Sequence, residues 1–221
     1  MQNGPMFIKQ VAALKKDLAK RGYELICPTG PIKTLPVDAS SPTDRAKLEE
    51  ADPADYPYWA WWIADDEKEE MRGIDQSVEF LNKILETEGP FIGILGLSQG
   101  AAMAAYLSSV LERRLLNHPP VFFFIAACGF RLRFSQYDKF YPISTPGLHL
   151  IGELDVIVNA ERTQRLVESC TNASVIRHPG GIFILFHVNV GHFLPCSGSI
   201  RRQIIAYIED HAANGTDKER L

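Results

Sequence analysis

Phe91-Ile92-Gly93-Ile94-Leu95-Gly96-Leu97-Ser98-Gln99-Gly100-Ala101-Ala102 is the stretch whose reading decides the fold. Its first seven residues form an unbroken apolar run, the pattern of a strand buried on both faces of a parallel sheet. From Gln99 to Leu111 the chain becomes small and alanine-rich, which suits a helix lying close against that sheet. Gly96-Leu97-Ser98-Gln99-Gly100 therefore sits where a buried strand meets a helix. As a bare string Gly-x-Ser-x-Gly arises often by chance, but in this context it predicts a nucleophile elbow. The chain must turn sharply there, holding Ser98 in a strained backbone conformation with its hydroxyl exposed. The backbone N–H of Gln99, at the positive end of the helix, then points to where an oxyanion would form.

Outward from this junction, apolar strand-like runs alternate with amphipathic helical ones, the signature of a mostly parallel sheet with helices on both faces. Phe7 to Arg21 has a helical period that Gly22 stops, and Tyr23 to Cys27 reads as a short strand. Residues from Gly30 to Tyr58 read as a long loop, a length associated with function or mobility. Arg72 to Glu88 and Ala160 to Ser169 read as helices, Val121 to Ala127, His149 to Gly152 and Ser174 to His178 as strands, and Ser197 to Ala213 as the closing helix. One domain over 1–221 is expected, with 215–221 as a frayed polar tail.

A serine hydroxyl needs a base to remove its proton, and the base needs an acid to orient it. In a strand-elbow-helix context the chain order is serine, acid, histidine. After Ser98 the best acid lies in Ile151-Gly152-Glu153-Leu154-Asp155, just past a short strand. Asp155 is the favoured residue and Glu153 its rival; Asp155 could instead cap the helix starting near Ala160. Of six histidines, His118, His149 and His211 read as structural or solvated. His178, His187 and His192 remain, and His192, after Gly191 in the loop between the last strand and the last helix, is where a base belongs. Trp59 and Trp61 could line an apolar acyl pocket, with core or lid packing as the alternative; for Trp62 packing is the stronger reading.

Several of these segments together resemble one family. Gly96-Leu97-Ser98-Gln99-Gly100-Ala101-Ala102, Glu88-Gly89-Pro90-Phe91, Gly152 to Asp155 with Val158, and the split His178-Pro179-Gly180…Gly191-His192-Phe193-Leu194-Pro195 look like the FSH family of serine hydrolases. That family includes yeast hydrolases, the ovarian-cancer-associated hydrolase and fungal thioesterase-like hydrolases of polyketide pathways. Ala60-Trp61-Trp62 and Arg72-Gly73-Ile74-Asp75-Gln76-Ser77 resemble its fungal branch, and Gln2-Asn3-Gly4 resembles the Gln-Asn-Gly that follows its first strand. The resemblance implies an α/β-hydrolase-like fold, no metal and no cofactor, and a triad of Ser98, Asp155 and His192. It also implies that the fold here lacks its first strand, which in the family supplies a second oxyanion N–H. The family's compact His-Pro-Gly-Gly-His is interrupted here by Gly181 to Val190, expected to be an apolar insertion that the fold does not need.

Composition bounds the alternatives. Interspersed charges with a net charge of −4 argue against nucleic acid as the partner. Cys27, Cys128, Cys170 and Cys196 show no paired spacing, so neither a zinc site nor a disulfide framework is expected, and each reads as a buried small hydrophobe. The first residues lack the basic and apolar regions of a signal peptide, and no run is long enough to span a membrane, so the cytoplasm is the expected location. The expected function is hydrolysis of a small-molecule ester or thioester, including an acyl group held on a carrier protein. The alternative is a catalytically weak or inactive relative that serves as a binding protein. A dinucleotide-binding protein is disfavoured because no glycine-rich fingerprint follows an early strand.

Overall fold

The structure, a computed structural model, describes residues 2–34, 58–179, 191–196 and 198–218. The chain divides into two compact units, Met1–Leu81 and Asn82–Leu221. Gly181 to Val190 and His187 lie outside the described residues, as does most of the stretch read as a long loop.

The first unit opens with helices α1 (Gly4–Gln10) and α2 (Ala12–Ala19) rather than one continuous helix. The Asn3 side chain caps α1 by accepting the Met6 N–H at 2.9 Å. The break falls at Val11, whose ψ of 13° leaves the helical range while its apolar side chain stays buried beside Leu14 and Leu18. Tyr23 to Cys27, expected as a strand, forms no ladder among the described residues; β-forming side chains make a strand only where a partner backbone pairs. β1 (Ile32–Lys33) pairs antiparallel with β2 (Trp59–Ala60). β3 (Ile63–Asp65) and β4 (Glu70–Arg72) form a hairpin whose turn is the acidic run, with Asp65 accepting the Lys68 N–H at 3.2 Å. Trp62, Met71 and Ile74 are buried in this unit. Helix α3 (Ile74–Glu88) leads into the second unit.

The second unit is built on four parallel strands in the order β5 (Gly93–Leu97), β6 (Phe123–Ala127), β7 (Gly147–Gly152) and β8 (Ala173–His178). Sequential order with parallel pairing and right-handed crossovers places the connecting helices on one face. Accordingly α4 (Gln99–Glu112) packs on β5 and β6, and α5 (Ala160–Glu168) on β7 and β8. Ala101 and Ala105 of α4 meet Phe124, Ala126, Ile143 and Leu166 in a fully buried cluster. The alanines let the helix approach; a larger residue there would overpack by about 1–3 kcal/mol. Successive strand residues face opposite ways, so Phe123 looks to the other side, where it meets Tyr207 and His211 edge-on. Those two belong to α6 (Gly198–Lys218), so this sheet carries helices on both faces. The helix α6 runs past Gly215, correcting the expected tail: continued helical hydrogen bonding satisfies that backbone as far as Lys218.

Candidate active site

Ser98 occupies the link between β5 and α4. Its φ of 56° and ψ of −120° are unusual for a residue with a side chain. The conformation is held at both ends. The Ser98 N–H donates to the Ala127 carbonyl at 2.8 Å, extending the ladder to β6, while its own carbonyl accepts the N–H groups of Ala101 and Ala102. Gly96 is obligatory, since a Cβ there would stand 2.1 Å from the Gly100 carbonyl oxygen. The Ser98 hydroxyl thus projects from the carboxyl end of a strand at the start of a 14-residue helix.

Two strands across, the loop after β7 delivers Asp155. Its side chain is fully shielded from solvent, yet both oxygens are engaged. Oδ1 accepts the backbone N–H groups of Ile157 and Val158, each at 2.9 Å, and Oδ2 meets His192 Nδ1 at 2.8 Å. Burial alone would push the Asp155 carboxyl up. The hydrogen bonds from His192, Val158 and Cys128 outweigh it, and its pKa lies below the ordinary carboxylate value. The carboxylate can only accept, so His192 carries its proton on Nδ1 and keeps a lone pair on Nε2. Asp155 is not the cap of α5: Asn159 does that, accepting the Arg162 N–H at 3.0 Å. Glu153 is exposed, and its N–H donates to the His178 carbonyl.

Sequence reasoning missed a third member of this cluster. Cys128 directly follows β6 with φ of 48°, is fully buried, and lies with Asp155 and His192 in a group whose ligand-type atoms are all within 4.8 Å of one another. Burial and the neighbouring Asp155 carboxylate push the thiol up to about 12. The protonated sulfur stands beside the 2.8 Å acid–imidazole hydrogen bond. The available signal was position: a cysteine directly after a buried strand, at the sheet's carboxyl edge.

Three other histidines among the described residues are held in structural contacts. His178 is buried against the Phe193 ring, and burial lowers its pKa despite the nearby Asp155 and Glu153 charges. His118 is buried and structural: its Nε2 accepts the Phe91 N–H at 2.9 Å. His211 contacts the Tyr207 carbonyl through Nδ1. Trp59 lies in β2 paired with Lys33 and Trp61 follows it, both half-buried in the first unit; their expected role as an acyl wall rests on the sequence.

A parallel sheet of this topology, with a serine at a strand-to-helix turn and a buried acid–histidine pair beyond the neighbouring strands, defines an α/β-hydrolase-type protein. A profile of the Serine hydrolase (FSH1) family matches residues 1–204, and the chain belongs to that family. It is 31% identical over 218 residues to Family of serine hydrolases 2 of Saccharomyces cerevisiae, covering 94% of this chain and 93% of that one. It is 30% identical to Esterase OVCA2 of Danio rerio, covering 91% and 89%. It is also 33% identical over 191 residues to a Schizosaccharomyces pombe protein named dihydrofolate reductase, covering 81% of this chain but spanning only 41% of that longer one. Among solved structures, esterase PE8 matches with a TM-score of 0.57 at 16% identity, covering 94% of this chain and 86% of that chain, a likeness of fold. Among the described residues no helix is long and apolar enough to cross a membrane.

Proposed function

We propose that this serine hydrolase cleaves a small-molecule carboxylic ester or thioester through an acyl-enzyme on Ser98, with His192 as base and Asp155 as its orienting acid. The observation that carries the reading is the 2.8 Å hydrogen bond between the shielded Asp155 Oδ2 and His192 Nδ1. It stands two strands across from a serine held at φ 56°. His192 Nε2 removes the Ser98 proton as Oγ attacks the substrate carbonyl. The Gln99 N–H stabilises the oxyanion of the tetrahedral intermediate. The intermediate collapses as His192 returns the proton to the leaving oxygen or sulfur. Water, deprotonated by His192, then attacks the acyl-serine and releases the carboxylic acid. An acyl group on a carrier protein enters by the same steps, and the proposed setting is the cytoplasm.

The test is steady-state hydrolysis of a short p-nitrophenyl ester and its thioester counterpart by the full chain, Ser98→Ala, His192→Ala and the double variant. Each single change should cost on the order of 10⁴ to 10⁶ in turnover, and the double variant should be no worse than either, because the two groups act as one unit. Undiminished hydrolysis by Ser98→Ala would overturn the assignment.

A further inference from the structure

We propose that Cys128 is a positioning residue for His192, its thiol bracing the backbone carbonyls on both sides of the base with one shared proton, beside the acid behind it. This rests on the reading of Ser98, Asp155 and His192 given above. Cys128 Sγ lies 3.6 Å from the Gly191 carbonyl oxygen and 3.9 Å from that of Phe193, the two residues flanking His192. It also lies beside the Asp155 carboxylate, the sulfur within 4.8 Å of a carboxylate oxygen. A carbonyl oxygen can only accept, so the sulfur keeps its single proton and donates it to one of the two carbonyls at a time.

The geometry around the thiol is tight. Cys128 is anchored by its own N–H, which donates to the Leu150 carbonyl at 2.9 Å. Its left-handed backbone is uncommon for a residue with a side chain. On the opposite side Gly191 presses against the loop after β7. A Cβ on Gly191, at φ +117°, would lie 2.5 Å from the Asp155 nitrogen, and one on Gly152 would lie 2.3 Å from the Gly191 oxygen. The segment carrying His192 is therefore held between the Asp155 loop and the Cys128 side chain. Among the described residues the titratable groups facing the His192 ring are Cys128 and Asp155, with His178 packed on Phe193 just beyond and near the Glu153 charge.

The experiment measures the rate of covalent labelling by a fluorophosphonate probe as a function of pH, in the full chain and in Cys128→Ala, Cys128→Gly and Cys128→Ser. Glycine suits the left-handed backbone, so it supplies a folded donor-free variant should alanine fail to fold. Alanine and glycine should slow labelling about tenfold to a hundredfold through displacement of the base. With the thiol gone from beside the Asp155–His192 hydrogen bond, the acid limb of the labelling profile should move, whereas a merely structural loss would lower the rate equally at every pH. Serine, which keeps a donor, should restore most of the rate and return the limb towards its original position. Wild-type rate and limb in a folded alanine or glycine variant, or a serine variant as impaired as alanine, overturns the proposal. The two readings fail separately: labelling abolished by Ser98→Ala with no effect of Cys128 sinks only the positioning role.

Discussion

His149 makes a specific demand on acid stability. It lies in the middle of β7, between Ala126 of β6 and Val175 of β8, and is completely buried. Its ring stands edge-on to Phe124 at 5.5 Å, and neither ring nitrogen has a hydrogen-bond partner among the described residues. Burial lowers its pKa from 6.5 to about 4. The folded chain therefore holds this histidine neutral, whereas the unfolded chain takes up a proton as pH falls through 6.5. Stability from this group is complete above pH 6.5 and is lost progressively down to pH 4. At 1.36 kcal/mol per pKa unit the whole window is worth about 3 kcal/mol, of which about 2 kcal/mol is gone by pH 5. Replacing it by leucine removes the titration and the two unpaired nitrogens. Urea unfolding of wild type and His149→Leu at pH 7 and pH 5 checks this, since groups common to both proteins cancel in the difference. The leucine variant should lose about 2 kcal/mol less than wild type between the two pH values. Equal losses would refute the reasoning.

Three further changes have defined outcomes. Gly191→Ala puts a Cβ 2.5 Å from the Asp155 nitrogen, so the segment bearing His192 must shift, and ester turnover should fall roughly a hundredfold in a protein that still folds by circular dichroism. Asp155→Asn can keep the bonds from Ile157 and Val158 but presents an amide donor to His192 Nδ1; the wrong tautomer should cost about 10⁴ in turnover, measured on the same ester. Glu112→Ala strips the partner from the Ser144 and Thr145 N–H groups and the Thr145 hydroxyl, and should lower unfolding free energy by about 2–4 kcal/mol in urea titrations.

What could be read from the chain depended on how local the cause was. The β5–Ser98–α4 junction was legible because an apolar run, two glycines and an alanine-rich helix are all adjacent in sequence. Asp155 and His192 were legible as candidates by chain order, but the competing roles of Glu153 and of a helix cap stayed open. The helix-cap role closes once Asn159 is seen to cap α5, while the Ile157 and Val158 N–H groups bind Asp155. The β3–β4 hairpin was missed because its strands are three residues each and its turn is charged, so no alternation is long enough to register. Tyr23 to Cys27 has strand-forming side chains, but pairing is a tertiary event that propensity does not supply. Cys128 was read as an inert hydrophobe because its partners are some 27 and 63 residues further on, distances over which only the folded sheet brings atoms together.

The central claim is that Ser98 is the activated nucleophile, and the most direct measurement is site-resolved labelling of the intact chain with a fluorophosphonate, followed by peptide mass spectrometry. The adduct should fall on the peptide containing Ser98 alone, and Ser98→Ala and His192→Ala should each abolish it. An adduct on another serine, or labelling that persists in the Ser98→Ala protein, would contradict the account.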